Sequence, residues 1–157
     1  MDLRKSFFKN LIDLAYIDKD VILLVGDLGY NFIEEFQLLC PEQFINCGIA
    51  EQNMIGVAHG LALTGKKPYC YSGAIFITMR PYEQIRSLAY QEANVKLIGT
   101  SASPFLGYTH NLQGREDEIS ILNNLPNIKC HKPKRENQLK RIILKENQRK
   151  GLAYIRL

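Results

Sequence analysis

Apolar positions recur along the chain with two alternating rhythms. Over residues 3–17, Leu3, Phe7, Leu11, Leu14 and Ala15 fall near helical spacing, which predicts an amphipathic helix. "VILLVGD" (21–27) follows, an unbroken apolar run closed by Gly-Asp, as in a strand buried on both faces. The same succession continues to the end: a short helix over 31–40 stopped by Pro41, a strand over 44–48, a helix of small residues over 50–64 ended by Gly65, and a strand over 67–73. A helix over 76–92, a strand over 94–102, a Gly/Pro/Ser-rich loop, a helix near 115–124 and a strand over 127–133 come next. A basic amphipathic helix over 134–149, with Leu139, Ile142 and Ile143 inward, precedes a last strand over 151–157. Alternating strands and helices predict an α/β fold of three layers, helices on both faces of a mainly parallel six-stranded sheet. A single domain over 1–157, without internal repeat or linker, accounts for the pattern.

Composition changes this picture little. The 157 residues are 46% hydrophobic and 23% charged, ordinary for a globular chain with a real core. No apolar run reaches the roughly 18 residues of a membrane span, and the first fifteen residues carry Asp2 and Asp13 where a secretory signal would be continuously apolar. Cys40, Cys47, Cys70 and Cys130 are widely spaced, form no C-x-x-C pair and lie at no zinc-finger spacing, so reduced, mostly buried thiols and a cytoplasmic location are expected. The net charge of +4 is uneven: residues 129–150 hold nine Lys or Arg against two acids. No aromatic residue interrupts the basic positions as a stacking platform for nucleic acid would require, so a solvated helix face is expected and no nucleic-acid partner.

In open parallel sheets ligands sit beyond the carboxyl ends of the strands, here at "GDLGYN", "GIAEQN" and "GTSASPFLGYTHNLQG". Within "NCGIAEQNMIGVAHGLA" (46–62) Glu51 is the one acid, among small and apolar neighbours. Burying such a carboxylate is costly unless something meets it. Its place at a helix start fits the positive end of the helix dipole, and spacing alone leaves open whether it merely caps that helix. No G-x-x-x-x-G-K-[ST] or G-x-G-x-x-G cradle for phosphate is present. Gly26-Asp27 followed by Asn53 imitates the diphosphate–magnesium motif of thiamine enzymes only loosely, because Leu28 stands where a second Gly belongs, and no metal site is expected in this chain.

With those residues in view, the chain resembles the pyrimidine-binding domain of the transketolase and deoxyxylulose-phosphate synthase family. "GIAEQNMIGVAHGLALTGKKPYCYSGAIFITMRPYEQIRSLAYQEANVKLIGT" carries the likeness, which extends to "LRKSFFKNLIDLAYIDKDVILLVGDLG" and "LPNIKCHKPKRENQLK". The resemblance implies that Glu51 hydrogen-bonds N1′ of the aminopyrimidine of thiamine diphosphate. That contact would favour the imino form of the 4′-amino group, which takes the proton from the thiazolium C2. A carboxyl in a dry site has the raised proton affinity that such sharing needs. It further implies that Phe76, otherwise a plain core residue, packs on the pyrimidine face, and that Arg80 and Tyr82, matching an R-A-Y-D-Q segment, line the same side. Arg4 matches an arginine that contacts substrate phosphate. His110 or Gln113, depending on how the 101–118 loop aligns, stands at a substrate-contacting histidine, and His110 is the candidate proton shuttle.

The family binds its cofactor between two kinds of domain. The one that holds the diphosphate and Mg2+ has no counterpart in this sequence, nor has the C-terminal domain of full-length transketolases. The expectation is therefore a subunit of a split, thiamine-diphosphate-dependent, transketolase-like transferase. It would move a ketol or acyl unit from a ketose phosphate or 2-oxo acid and be active only with a partner chain that holds most of the Mg2+, in a heterotetramer of two of each. A two-chain 2-oxo acid decarboxylase and a non-catalytic docking domain are the alternatives.

Overall fold

The computed structural model describes residues 2–100 and 117–157. Helix α1 (Leu3–Ile17) starts at Asp2, whose carboxylate accepts the Arg4 backbone N–H at 3.0 Å. Strand β1 (Val21–Val25) is buried throughout. Helix α2 (Ile33–Leu39) leads through a 3-10 turn at Pro41–Gln43 into the short β2 (Phe44–Asn46). Helix α3 (Glu51–Leu63), strand β3 (Lys67–Gly73), helices α4 (Ala74–Met79) and α5 (Tyr82–Tyr90) and strand β4 (Lys96–Thr100) follow. Helix α6 (Asp117–Leu122), β5 (Ile128–His131), α7 (Glu136–Gln148) and β6 (Leu152–Arg156) complete the described chain.

With one exception, the strands and α-helices lie where hydrophobic periodicity places them, within a few residues at the ends. The exception is the helix expected over 76–92, which is two helices, α4 and α5. Pro81 has no N–H to donate and its ring clashes with the turn before it, so the helix breaks there and restarts at Tyr82.

The six strands form one sheet in the order β2-β1-β3-β4-β6-β5, and every pairing is parallel. Successive strand residues face opposite sides. Leu23, Val25, Tyr69, Tyr71, Ile98 and Ile155 pack with α1, α2 and α7 through Phe7, Leu11, Phe36, Leu139 and Ile143. Ile22, Leu24, Cys70, Leu97, Leu152 and Tyr154 pack with α3, α4, α5 and α6 through Met54, Ile55, Ile77, Leu88 and Leu122. Of the three residues expected inward on α7, Leu139 and Ile143 are fully buried and Ile142 is partly so.

This order fixes where a ligand can sit. From β1 the chain leaves through α2 on one face toward β2, whereas from β3 it leaves through α4 on the other face toward β4. The connections after two neighbouring strands diverge, and a crevice opens at their carboxyl ends.

Candidate functional site

Glu51 lies in that crevice. It is the first residue of α3 and only 3% exposed, and its helix is capped by no side chain. The carboxylate instead faces the sheet: Ser72 Oγ, itself fully buried near the end of β3, donates to Glu51 Oε1 at 3.1 Å. Gly26, just past β1, closes the other side, where an added Cβ would stand 3.6 Å from Glu51 Oε1 and 3.3 Å from Ser72 Oγ. Three elements thus converge on one carboxylate because β1 and β3 are neighbours and α3 returns over their carboxyl ends.

The charge is met by Arg80. Its Nη1 straddles both carboxylate oxygens, 3.1 Å from Oε1 and 3.0 Å from Oε2. The guanidinium carbon lies 3.9 Å from the centre of the Phe76 ring, a cation–π contact. Phe76 reaches this position because residue 73 is glycine: a Cβ there would stand 2.9 Å from the Phe76 ring. Arg80 is the residue at which α4 ends before Pro81, so the break that divides the expected helix also sets the arginine facing α3. Gln52 Nε2 adds a bond to the Arg80 carbonyl at 3.2 Å, fastening α3 to the same turn.

Of the residues expected from the sequence, Glu51, Phe76 and Arg80 come together in one cluster. Tyr82 opens α5 and packs, partly buried, against the core on that face. Arg4 belongs to the opposite face of the sheet, where Nε and Nη2 hold Asp2 at 2.9 and 2.7 Å and the guanidinium lies 4.7 Å from the centre of Phe32. His110 and Gln113 fall outside the described residues. Among the described residues no three His, Cys, Asp or Glu side chains group as metal ligands, and no helix is long and apolar enough to cross a membrane. The four cysteines are free, Cys40 and Cys70 buried and Cys47 and Cys130 partly so.

Hydrophobic patterning does not single out Ser72, whose signal is a small hydroxyl side chain next to the last residue of a buried strand. Nor does it mark a pair on the same face two strands further along. Arg156, near the end of β6, lies with Nε 3.2 Å from Glu118 Oε1, and Tyr154 donates to the same oxygen at 3.3 Å. Among the described residues, Arg156 Nη1 and Glu118 Oε2 are buried with no hydrogen-bond partner.

The arrangement fits a planar nitrogen heterocycle. A buried carboxylate can meet a ring N–H in the plane, and the Phe76 face can carry the flat side of the ring. Already one planar nitrogen-bearing cation, the Arg80 guanidinium, is held in this way by both groups.

Comparison with known proteins identifies the family of the fold. The family described as "Transketolase, pyrimidine binding domain" matches residues 1–157. A putative transketolase C-terminal section of Methanocaldococcus jannaschii is 35% identical over 161 residues, covering 99% of this chain and 50% of that protein. One of the subunits of the apulose-4-phosphate transketolase of Phocaeicola vulgatus is 36% identical over 145 residues, 89% of this chain and 46% of that one. A solved split-gene transketolase, described as an inactive β4 tetramer, superposes with a TM-score of 0.87 at 33% identity over 98% of this chain and 50% of its own. The chain spans about half the length of the curated relatives it matches.

Proposed function

Because the chain belongs to the transketolase pyrimidine-binding domain family, we propose that it is the pyrimidine-binding part of a two-chain, transketolase-like transferase that works with thiamine diphosphate. It acts on a ketose phosphate or 2-oxo acid donor and passes on a small carbon unit. The partner chain carries the diphosphate and Mg2+ site, in a cytoplasmic assembly of two of each chain. The observation that carries this reading is the Glu51 carboxylate, 3% exposed at the point where the connections after β1 and β3 diverge, with Phe76 beside it.

The cofactor, once bound, supplies the electron sink for breaking a bond next to a carbonyl. The residues of this chain do the rest. Glu51 holds a proton between its carboxylate and the ring nitrogen that faces it. Ser72 donates to Oε1 and fixes the rotamer, which leaves the plane of the carboxylate set before the ring arrives. Phe76 fixes the tilt of the ring by stacking, an interaction worth roughly 0.5–1.5 kcal/mol beyond its burial. The apolar floor of Met54, Ile55 and Ile77 excludes water, which strengthens the contact at Glu51.

The outer face of α3 is the natural seat for the partner. Ile49 is 74% and Leu63 76% exposed, and between them Gly56 and Gly60 have open space where a side chain would be. A facing helix can approach closely over such glycines, and Glu51 on the same helix then stands at the boundary between the chains. By the same argument the chain alone pairs this face with other copies, in line with the β4 tetramer described for the split-gene relative.

The test is the chain co-purified with the diphosphate-binding partner, supplied with thiamine diphosphate and Mg2+. Turnover with ketose phosphates is expected, and Glu51→Gln should lower it about 10²–10⁴-fold, the range for loss of a proton-transferring group. Near-normal turnover in that variant, or an assembly that takes up no thiamine diphosphate, would refute the reading.

A further inference from the structure

We propose that Arg80 is an internal stand-in for the aminopyrimidine: its guanidinium occupies the place of the ring in the free chain and must swing out when the cofactor enters. The inference rests on the functional reading above and adds to it the residue that sets cofactor affinity.

Three observations support it. First, the two contacts of the guanidinium are the two that a pyrimidine needs. Nη1 donates to both oxygens of Glu51 at 3.0–3.1 Å, and the plane's carbon lies 3.9 Å from the Phe76 centroid. Because Nη1 spans both oxygens and the guanidinium lies on the Phe76 ring, a heterocycle set against the same carboxylate and the same ring face displaces it from at least one of them. Second, the pair is lopsided. The Glu51 side chain is 3% exposed and the Arg80 side chain 39%, so the arginine can withdraw into solvent while the acid cannot. Third, the backbone at Arg80 is held by Gln52, so the long side chain alone has to turn. Arg80 ends α4, and the residue after it is Pro81, so the helical ladder does not continue across this turn.

The energetic logic follows from the asymmetry. A buried carboxylate without a partner is costly, whereas an ion pair with a solvent-exposed arginine is held weakly. Arg80 therefore protects the free chain from an uncompensated charge and competes with the cofactor for that charge. A ligand's apparent affinity falls by the fraction of molecules whose site is open to it. Removing the arginine raises that fraction, and at the same time raises the energy of the free chain.

Opposite shifts in two measurements are thus expected. For Arg80→Ala, the free chain should melt at lower temperature, while the chain assembled with its partner should bind thiamine diphosphate with Mg2+ about tenfold more tightly by calorimetric titration. Arg80→Lys keeps a charge for Glu51 but has no planar group to stack on Phe76, and should fall between wild type and Arg80→Ala in both. In the Glu51→Gln background there is no charge to compete for, so Arg80→Ala should leave cofactor affinity within about twofold. If Arg80→Ala or Arg80→Lys binds the cofactor more weakly than wild type, the arginine is a cofactor ligand and the stand-in is refuted. Unchanged affinity in both variants refutes it as well, and leaves the functional reading standing. A wild-type assembly that binds no thiamine diphosphate removes the functional reading and this inference together.

Discussion

The two ends of the sheet solve the same problem in opposite ways. Around the amino ends of β3, β4 and β6 and the last turn of α7, buried polar groups are closed upon one another. Lys67 reaches Asp18 at 2.7 Å, and Asn147 donates to the same carboxylate at 3.0 Å. Lys96, 1% exposed, gives its three donors to Asn94 Oδ1, Arg149 O and Gly151 O at 2.8, 3.1 and 2.6 Å. Glu146, fully buried, takes His131 Nε2 on one oxygen at 3.0 Å and Arg149 on the other at 2.7 Å. At the carboxyl ends more is left open: Glu51 is matched by a half-exposed arginine, and among the described residues Glu118 Oε2 and Arg156 Nη1 are buried with no partner. The amino end has one such atom too, His59 Nε2 beside Lys66 and Lys67, but is the more fully closed of the two, and the carboxyl end keeps hydrogen-bonding capacity where the fold places ligands.

The contrast predicts unequal costs for similar deletions, and the largest is at Lys96. Lys96→Ala leaves two backbone carbonyls without their donor beneath the α7–β6 turn and opens space in a fully buried position. Destabilisation of about 3–5 kcal/mol by urea unfolding is expected, as for truncating other large buried side chains, with the unpaired carbonyls adding to it. Arg80→Ala, at the opposite end, leaves the buried Glu51 carboxylate with Ser72 as its donor, and should cost about 1–3 kcal/mol, the penalty for a buried group that loses its partner. Equal costs at the two sites would erase the distinction between the ends.

Acid sharpens it next. Burial raises the Glu146 carboxyl, but the hydrogen bonds from His131 and Arg149 outweigh it and bring the pKa down to about 2. A carboxyl held lower in the folded chain than in the unfolded one adds stability above its ordinary range near 4.5, and that stability is lost as pH falls toward 2. Wild type should therefore lose up to about 3 kcal/mol between pH 5 and 2 through this group. Glu146→Gln should be the less stable protein at pH 7 and show a flatter acid limb, measured by urea titrations across that window.

Those two ends were not equally legible beforehand. The strands, helices and parallel order follow from apolar runs and helical spacing, because burial on both faces makes β1 wholly apolar and leaves polar residues of β4 and β6 at their ends, apart from Gly99. That Glu51 needs a partner is legible too, because an acid among Gly, Ala and Ile demands one, and the structure gives it Ser72 and Arg80. The partner itself was not legible. Arg80 was placed among the cofactor's contacts, but its pairing depends on Pro81 breaking the 76–92 helix, which periodicity smooths over. Ser72 could not be told from a core residue until β3 lay beside β1. Likeness sets Arg4 on the substrate side, and the sequence does not show that Asp2 and Phe32 hold its guanidinium in the free chain. The basic residues of 129–150 read as one solvated face, yet Arg149 turns inward to Glu146 and to the Leu152 carbonyl at 2.7 Å. Charge patterns do not show which member of a cluster is buried.

Within the carboxyl end, Gly73→Ala tests how much room the site leaves. The added Cβ would meet the Phe76 ring at 2.9 Å, so the ring must move away from the strand end. A stability loss of about 1–3 kcal/mol is expected, as for other overpacked positions. The displaced ring should also weaken cofactor binding in the assembled enzyme while Glu51 is untouched. Titration of thiamine diphosphate into the variant checks this, and undiminished affinity would mean that the Phe76 face is not part of the site.

The smallest effect is expected at Tyr71, and its sign carries the information. Tyr71 is fully buried between Phe7, Phe8 and Gly29, and among the described residues its hydroxyl closes no well-formed hydrogen bond, Thr100 being its polar neighbour. Burial makes the charged form costly and outweighs the Thr100 contact, and the phenol is pushed up to about 12. Removing a buried hydroxyl that is at best weakly bonded relieves its desolvation penalty and leaves the ring's packing as it was. Tyr71→Phe should then be as stable as wild type or more stable by up to about 1 kcal/mol. The same substitution at Tyr69, whose hydroxyl donates to Asn147 Oδ1 at 3.3 Å in the closed end of the sheet, should instead cost about 0.5–1.5 kcal/mol. Two tyrosines on one strand and one face, two residues apart, thus give opposite signs in a single pair of urea curves. A loss at Tyr71 equal to that at Tyr69 would show that the carboxyl end is as fully paired as the amino end.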